Sequence, residues 1–329
     1  MLEILNESEE PGFNLAAEQY MLEEMDLDDV MFMLWQNKPS VVVGRHQNTA
    51  DEVDLAYARE KEIPVVRRMT GGGAVYHDVG NLNFTLVLKR DGLGDPYDFS
   101  HLMEPMLEAL ERVGIKGERS GRNDISVNGR KIAGSASRIT ADKVLYHACI
   151  LVDTDLDELQ RVLIVNKEKL AGKGVASVRR RVAVLTEFLE GVTVPMLGDL
   201  LRDVLETSYG LRRLKRFSQD DLAKIKMLEA ARYDLAEWNI GASPKYDIRV
   251  AARYAWGGIQ MMLKLKDGKI AECAAYGDYF ADEPTDDFCS SLLGTDYTCQ
   301  AVGERLGKID AACFFRGAKE DDIIRLMFP

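Results

Sequence analysis

Cysteine is scarce in this sequence and shows no spacing pattern. The five cysteines form no CxxC pair, and their number is odd. A disulfide framework needs an even set of cysteines, and a zinc site usually shows paired ligands, so neither is expected. Long apolar runs are also missing, and no basic stretch followed by an apolar one opens the chain. We therefore expect a cytoplasmic protein with no membrane association.

Positive charge is in short supply as well. The chain has 42 Lys and Arg against 54 Asp and Glu, which gives a formal net charge of -12. Proteins that hold nucleic acid do so largely through many basic contacts to phosphate, so nucleic acid is not an expected partner. Otherwise the composition, 46% hydrophobic and 29% charged, is that of an ordinary soluble globular protein. A length of 329 residues suits two domains.

The most distinctive segment reads Arg67-Arg68-Met69-Thr70-Gly71-Gly72-Gly73-Ala74-Val75-Tyr76-His77-Asp78. Glycine lets a ligand come close to backbone N–H groups, and guanidinium groups beside them bind phosphate oxygens. Neither common glycine-rich nucleotide motif fits, because no Lys-Ser/Thr pair follows and the glycines are not spaced as GxGxxG. The segment predicts either a hairpin turn or a nucleotide site. The paired arginines and the His-Asp pair favour the nucleotide site.

Hydrophobic periodicity predicts an alternation of helices and strands. Asn14 is a candidate N-cap of the first helix. Strands are predicted at residues 30–35, 40–43, 63–66, 81–88 and 144–152, and helices at 51–61, 99–113, 156–164 and 194–205. Residues 167–181 are basic and contain glycine, which predicts a surface loop that can close over an anionic ligand.

A second informative segment surrounds Asn128-Gly129. This pair, placed between two alternating runs, is the strongest short-range signal of a β-hairpin. It puts Lys131 on a rigid strand just after the turn. Small residues follow at 133–136, and they leave open space beside the lysine. A solvated edge lysine is the usual structure at such a position, whereas the open space favours a ligand site.

Several segments together resemble the lipoate–protein ligases of the biotin/lipoate protein ligase superfamily. The pattern Arg-Arg-x-x-Gly-Gly-Gly-Ala-Val-aromatic-His-Asp-x-Gly-Asn spans residues 67–81. Further similar segments follow the family order at residues 44–48, 120–124, 130–136, 173–178 with 181–182, and 238–239 with 256–258. The resemblance covers nearly the whole chain.

This resemblance implies an α+β fold with two domains. A large catalytic domain with a mixed sheet is expected over residues 1–240. A small α+β accessory domain is expected over residues 248–329, and the turn-rich residues 241–247 predict the linker between them.

The resemblance also implies a two-step reaction that consumes ATP. Free lipoate, or octanoate, is activated to an acyl-AMP, and the acyl group then passes to a lysine of a lipoyl domain. The implied acceptors are E2 subunits of 2-oxoacid dehydrogenases and the glycine cleavage H protein. Mg²⁺ is implied as the partner of ATP, and a monomer is expected.

The family motifs assign roles to individual residues of this sequence. Lys131 is the implied catalytic residue, which bonds the carboxylate and the α-phosphate. The implied ATP-binding residues are Arg68, Gly73, Ala74, Val75, Tyr76 and Lys131. The implied substrate-binding residues are Arg45, Gly72, His77, Asn81, Asn123, Asp124, Gly134, Ser135, Ala136 and His147.

Three of these residues have structural alternatives. Asp124 is the candidate ligand of Mg²⁺, and an Asx turn at the start of the hairpin fits it equally well. His77 either orients a phosphate or caps the next turn. His147 is either close to the acyl group or a hydrogen-bonded histidine of the core.

An octanoyltransferase of the same superfamily is the alternative function. It uses a cysteine nucleophile and no ATP, which requires an accessible thiol of low pKa. The only cysteine before residue 273 is Cys149, in an apolar predicted strand where cysteine packs as a small hydrophobe. A biotin ligase is disfavoured because a Gly-Arg-Gly-Arg motif is missing. Lys131 disfavours a non-catalytic binding protein, so the ATP-dependent ligase is the prediction.

Overall fold

The structure is a computed structural model that describes residues 1–26, 30–95, 98–164, 181–241 and 246–328. Residues 167–180 of the loop predicted to close over an anionic ligand, and residues 242–245 of the predicted linker, lie outside the described residues. The strands are β1 Leu2–Leu5, β2 Met31–Trp35, β3 Ser40–Val43, β4 Val65–Arg67, β5 Val75–His77, β6 Asn81–Lys89, β7 Glu118–Ser120, β8 Asp124–Val127, β9 Arg130–Ile139, β10 Lys143–Leu151, β11 Arg213–Arg216, β12 Ile248–Tyr254, β13 Gly257–Lys266 and β14 Lys269–Gly277.

The helices pack mostly on the faces of the sheets. They are α1 Pro11–Glu23, α2 Thr49–Glu52, α3 Leu55–Glu60, α4 Ser100–Arg112, α5 Leu156–Val162, α6 Val194–Tyr209, α7 Gln219–Leu228, α8 Ala236–Asn239, α9 Thr285–Leu292, α10 Cys299–Leu306, α11 Ala311–Phe314 and α12 Glu320–Met327.

A mixed sheet of eight strands forms the centre of the larger unit. Its order is β11-β1-β2-β6-β10-β9-β8-β7, with β1 parallel to both of its neighbours and the remaining pairs antiparallel. Side chains alternate between the two faces. Phe84 and Leu86 of β6 pack with α4 and α6, while Val87 packs with α1 on the opposite face. The expected α+β fold with a large mixed sheet is confirmed.

The strand register aligns one row of residues on the α1 face. Trp35 lies opposite Asn83, Asn83 opposite Cys149, Cys149 opposite Gly134, and Gly134 opposite Asp124. Neighbouring strands are about 4.8 Å apart, so the row extends roughly 14 Å from β9 to β2. This row becomes the floor of the site.

Of the two segments that stood out in the sequence, the predicted hairpin is confirmed, and the glycine segment is a loop whose flanking strands both pair with β3 rather than with each other. Asn128 and Gly129 form the hairpin turn between β8 and β9, and both have positive φ, 51° and 72°. The glycine loop, residues 68–74, connects β4 to β5 in a small sheet of order β4-β3-β5. A Cβ added at Gly44 would lie 2.0 Å from the carbonyl oxygen of Gly72, so this approach of two chain segments requires glycine.

The C-terminal residues form a smaller unit. Strands β12, β13 and β14 make an antiparallel meander, and α9 to α12 cover one face around Phe288 and Phe315. This unit contacts the larger one, because the N–H of Gly277 donates to the carbonyl oxygen of His46 at 2.6 Å. The His46 ring also stacks on Tyr279, with 5.0 Å between ring centroids. The predicted domain boundaries stay a prediction.

Two helix predictions near the N-terminus were wrong in detail. The first helix begins at Pro11, with Glu10 as the N-cap, so Asn14 lies inside the helix with its side chain buried. Proline at the first helical position has the right φ and loses no hydrogen bond, which explains the earlier start. The helix predicted over 51–61 is two short helices, because Val53 is extended and Asp54 caps the second one.

We predict that Arg67→Met lowers the free energy of unfolding by about 3 kcal/mol. The buried guanidinium donates to the carbonyl oxygens of Gln47 at 2.6 Å and Trp238 at 2.7 Å, and to the Thr49 hydroxyl at 2.7 Å. Methionine would leave these buried acceptors unpaired. Urea unfolding checks this, with the exposed Arg59→Met as the matched control. An equal, small effect of both substitutions would contradict the prediction.

Candidate functional site

A pocket lies between the glycine loop and the α1 face of the large sheet. It contains most of the residues that the motifs had selected. The predicted residues that line it are Arg68, Gly72, Gly73, Ala74, Val75, His77, Asn123, Lys131, Gly134, Ser135, Ala136 and His147. Residues separated by up to about 80 positions in the sequence therefore meet at one place.

Lys131 supplies a partly exposed cation to this pocket. Its Nζ lies 2.8 Å from Oδ1 of Asp124, on the neighbouring strand β8. A Cβ added at Gly134 would be only 2.7 Å from Nζ, so the lysine occupies the space that a side chain at Gly134 would fill. Asp124 and Gly134 therefore fix the direction of the lysine side chain. Asp124, which was the candidate ligand of Mg²⁺, forms an ion pair with Lys131 in this structure.

Arg68 holds the glycine loop in place. Its guanidinium donates to the carbonyl oxygens of Gly71 at 2.7 Å and Gly73 at 2.8 Å, to Val42, and to the Thr70 hydroxyl. Burial lowers the pKa of Arg68 to about 10. Four of its five N–H donors are thus used by the protein. This geometry supports a positioning role, and the expected fork onto phosphate would require these bonds to break.

A buried polar chain connects helix α1 to the glycine loop. Nδ1 of His147 lies 3.0 Å from each carboxylate oxygen of Glu18, and Nε2 lies 2.8 Å from the Thr70 hydroxyl. Arg68 donates to the same hydroxyl at 2.9 Å. His147 is thus a hydrogen-bonded core histidine and a lining residue at once. Glu18 and Thr70 were not among the predicted site residues.

His77 points to the inner end of the pocket. Its ring lies edge-on to Trp35, with 6.1 Å between the centroids, and its Nδ1 is 3.1 Å from Nδ2 of Asn37. Burial, with smaller contributions from Arg68 and His147, lowers the pKa of His77 to about 3, so the ring is neutral at pH 7. Because Nδ1 meets a side-chain amide and not the backbone of the next turn, turn capping does not describe this position.

Three predicted residues place their side chains elsewhere. Tyr76, one of the implied ATP-binding residues, packs its side chain in the core with Val41 and Val43 and away from the pocket. Asn81 closes a turn, since its Oδ1 accepts from the N–H of Asp78 and its Nδ2 donates to a neighbouring threonine. Arg45 stacks over Trp238 at 4.3 Å, in a cleft that faces the C-terminal unit.

The loop before β8 is tied to β9. The N–H and hydroxyl of Ser135 both donate to the carbonyl oxygen of Asn123, at 2.9 and 2.7 Å. The amide of Asn123 donates in return to the carbonyl oxygen of Ser135. These bonds fix the mouth of the pocket beside Lys131.

Asn83 and Trp35 also line the pocket. Their positions follow from the register of β2 and β6, which a sequence does not show. A signal was present, however, because Asn81, Asn83 and Thr85 alternate with apolar residues in a strand. Polar residues with a period of two on a buried strand indicate a polar lining on one face.

Two family models match this chain. The Lipoyl protein ligase A/B catalytic domain matches residues 10–206, and the Bacterial lipoate protein ligase C-terminus matches residues 243–327. The chain belongs to the lipoate–protein ligase family. It is 35% identical to the lipoate–protein ligase LplJ of Bacillus subtilis, over 97% of both chains. The protein is therefore an enzyme, a lipoate–protein ligase.

Solved structures of ligases have the same fold. LipL1 of P. falciparum, in complex with lipoate, superposes with a TM-score of 0.82 at 22% identity, and 98% of each chain is covered. A bipartite ligase of Thermoplasma acidophilum, described with its E2 lipoyl domain, gives 0.67 at 30% identity over 75% of this chain and 98% of its own. A lipoate–protein ligase A bound with ATP gives 0.65 at 28% identity, over 73% and 98%.

The described residues meet neither the requirements of a clustered metal site nor those of a membrane-spanning helix. Within residues 1–26, 30–95, 98–164, 181–241 and 246–328, no group of three or more His, Cys, Asp or Glu side chains is placed to hold a metal ion. Over the same residues, no helix combines the length and apolar character needed to cross a bilayer.

Cys149 lies in the pocket floor of this ligase. Its side chain is partly accessible, but burial raises the pKa of the thiol to about 12, against the opposing attraction of Lys131. At neutral pH the thiol is therefore protonated, which makes it a poor nucleophile. This supports the ligase over a transferase that uses a cysteine.

We predict that iodoacetamide at about pH 8 modifies the exposed Cys299 and leaves Cys149 unmodified in the folded protein. The reagent reacts with the thiolate, and the raised pKa of Cys149 keeps its thiolate population small. Peptide mass spectrometry after a timed reaction gives the result, and the unfolded protein serves as a control in which both residues react. Modification of Cys149 at the rate of Cys299 would contradict the assignment.

Proposed function

We propose that this ligase activates free lipoate with ATP to lipoyl-AMP and then transfers the lipoyl group to a lysine of a lipoyl domain. The observation that carries the proposal is the position of Lys131, which faces the glycine loop across a small pocket. Two related structures support it: one holds ATP, and another was described with an E2 lipoyl domain.

The first step joins two anions, so it needs positive charge that is in place beforehand. One oxygen of the lipoate carboxylate attacks the α-phosphorus of ATP, and a new P–O bond forms. The bond from this phosphorus to the oxygen bridging to the β-phosphate breaks, and pyrophosphate leaves with the electron pair. Lys131 would contact both the carboxylate and the α-phosphate, reducing their repulsion and stabilising the negative charge that develops. Its compact ammonium group suits contact with two neighbouring anions.

The glycine loop would hold the adenylate. A Cβ added at Gly73 would meet nothing within 4 Å, so open space adjoins the backbone at this position. Arg68 keeps the loop in shape through the carbonyl oxygens of Gly71 and Gly73. The backbone N–H groups next to this space are donors for phosphate oxygens. Ala74 and Val75 are proposed to bind ATP in this way, and Gly72 is proposed to contact the substrate.

The second step transfers the acyl group. The neutral amine of the acceptor lysine attacks the carbonyl carbon of lipoyl-AMP, and a C–N bond forms. The bond between this carbon and the phosphate oxygen breaks, AMP leaves with the electron pair, and the amine releases a proton. Lys131 would remain beside the leaving phosphate and stabilise its charge. We propose E2 lipoyl domains and the glycine cleavage H protein as acceptors.

Mg²⁺ would neutralise part of the triphosphate charge when ATP binds. Asp124 is the protein ligand we propose for it, as a single carboxylate beside the phosphates. This fits the donor set, because Mg²⁺ is often held by one carboxylate together with phosphate oxygens and water. In the present structure Oδ1 of Asp124 bonds Lys131, so Asp124 also orients the lysine.

We predict that a purified lipoyl domain gains a lipoyl group only when lipoate, ATP and Mg²⁺ are all present. Lys131→Met should slow formation of lipoyl-AMP by about 100-fold or more, because the charge between the two anions is lost. Mass spectrometry of the lipoyl domain and of the adenylate measures both results.

The matched control for this prediction is Lys264→Met in the C-terminal unit. Lys264 is an exposed lysine that pairs with Glu272 at 2.7 Å, and its removal should leave the rate unchanged. Transfer of octanoyl from an acyl-carrier protein without ATP, and no product from free lipoate, would establish the transferase instead. Full activity of Lys131→Met would contradict the catalytic role proposed for this lysine.

A further inference from the structure

Two nitrogen atoms at the inner end of the pocket have no hydrogen-bond partner among the residues that the structure describes. They are Nδ2 of Asn83 and Nε2 of His77. The two residues are 1% and 4% exposed, and both line the pocket. A buried donor costs free energy unless a ligand or a water accepts from it.

A chain of amides determines which nitrogen of His77 carries the hydrogen. Nδ2 of Asn14 has three acceptors within hydrogen-bond distance: the carbonyl oxygens of Ser8 and Gln36, both at 2.9 Å, and Oδ1 of Asn37 at 2.8 Å. The amide of Asn37 is therefore oriented with Nδ2 toward Nδ1 of His77. Nδ1 accepts this bond, so in the neutral ring Nε2 is an N–H donor.

The neighbouring polar groups in this part of the pocket already have partners. Nε1 of Trp35 donates to the hydroxyl of Thr85 at 2.8 Å. Both ring nitrogens of His147 are bonded, to Glu18 and Thr70. Nδ2 of Asn83 and Nε2 of His77 are therefore hydrogen-bond donors without an acceptor among the described residues.

The position of these donors matches the far end of an acyl chain. Asn83 is on β6, two strands from Lys131 on β9, and Trp35 beside it is three strands away. The distances are roughly 10 and 14 Å. An extended eight-carbon acid with its carboxylate at Lys131 reaches this region with its last carbons.

We infer that Asn83 and His77 are specificity-determining residues, which select an acid with acceptor atoms at its far end, the cyclic disulfide of lipoate, over the methyl end of octanoate. This rests on the proposed activation of a free acid. Disulfide sulfurs have lone pairs that accept weak hydrogen bonds, whereas a methyl group accepts none. Octanoate would displace water from both donors and leave them unpaired.

The test is a competition between lipoate and octanoate at equal concentration, with ATP and Mg²⁺, read as the two acyl-AMP products by mass spectrometry. We expect the wild-type protein to favour lipoate, and Asn83→Leu to reduce the lipoate-to-octanoate ratio of kcat/KM by about fivefold. Leucine has a similar size and removes the donors. The loss should fall on lipoate, with octanoate unchanged or used faster.

Ser137→Ala is the matched control. The hydroxyl of Ser137 is also buried and without a partner among the described residues, but the residue is next to Ala136 on β9 and its side chain is on the opposite face of the sheet. Its removal should leave the ratio unchanged. A change as large as that of Asn83→Leu would overturn the inference.

A structure of the wild-type protein with bound lipoate provides a second readout that does not depend on a variant that folds. We expect a sulfur atom within about 3.8 Å of Nδ2 of Asn83 or Nε2 of His77. A water bonded to both donors, or an unchanged ratio in Asn83→Leu, would overturn the selection while lipoyl-AMP still forms. No acyl-AMP from either acid would reject both the proposed function and this inference.

Discussion

The site depends on the missing side chain at Gly134. Gly134 lies three residues after Lys131 on β9, and a Cβ there would lie 2.7 Å from Nζ. A side chain at this position would require the end of the lysine side chain, which bonds Asp124, to shift. The observed position of the Lys131 ammonium group therefore depends on glycine at residue 134.

The two adjacent arginines bond the protein itself, whereas their sequence indicates binding to phosphate. Arg67 and Arg68 are buried, and most of their donors are used by backbone carbonyl oxygens and threonine hydroxyls. Burial of a cation is costly, and a full set of acceptors offsets that cost. The arginines thereby shape the loops on either side of the pocket. Lys131, by contrast, keeps its contact with solvent, which suits the role proposed for it.

The C-terminal unit is close enough to the glycine loop to affect it. A Cβ added at Gly71 would lie 2.6 Å from the carbonyl oxygen of Tyr279. Arg122, before β8, donates to the carbonyl oxygen of Trp256 and lies 5.1 Å from the ring of Phe280. The two segments that form the pocket mouth, the glycine loop and the loop before β8, are therefore both in contact with the smaller unit. This explains why glycine is required at a second position of the loop.

The sequence by itself determined the elements that depend on neighbouring residues. The hairpin at Asn128 and Gly129 follows from the left-handed backbone that these residues tolerate, and the strands at β6 and β10 follow from their long runs of apolar and β-branched residues. The motifs then selected Lys131 and the glycine loop. Tertiary structure decided the rest, because burial and partners of a side chain depend on residues far away in the chain. The tertiary structure buries the side chains of Arg68 and Tyr76 against other parts of the protein. It also places Glu18 beside His147 and Asn83 in the pocket floor.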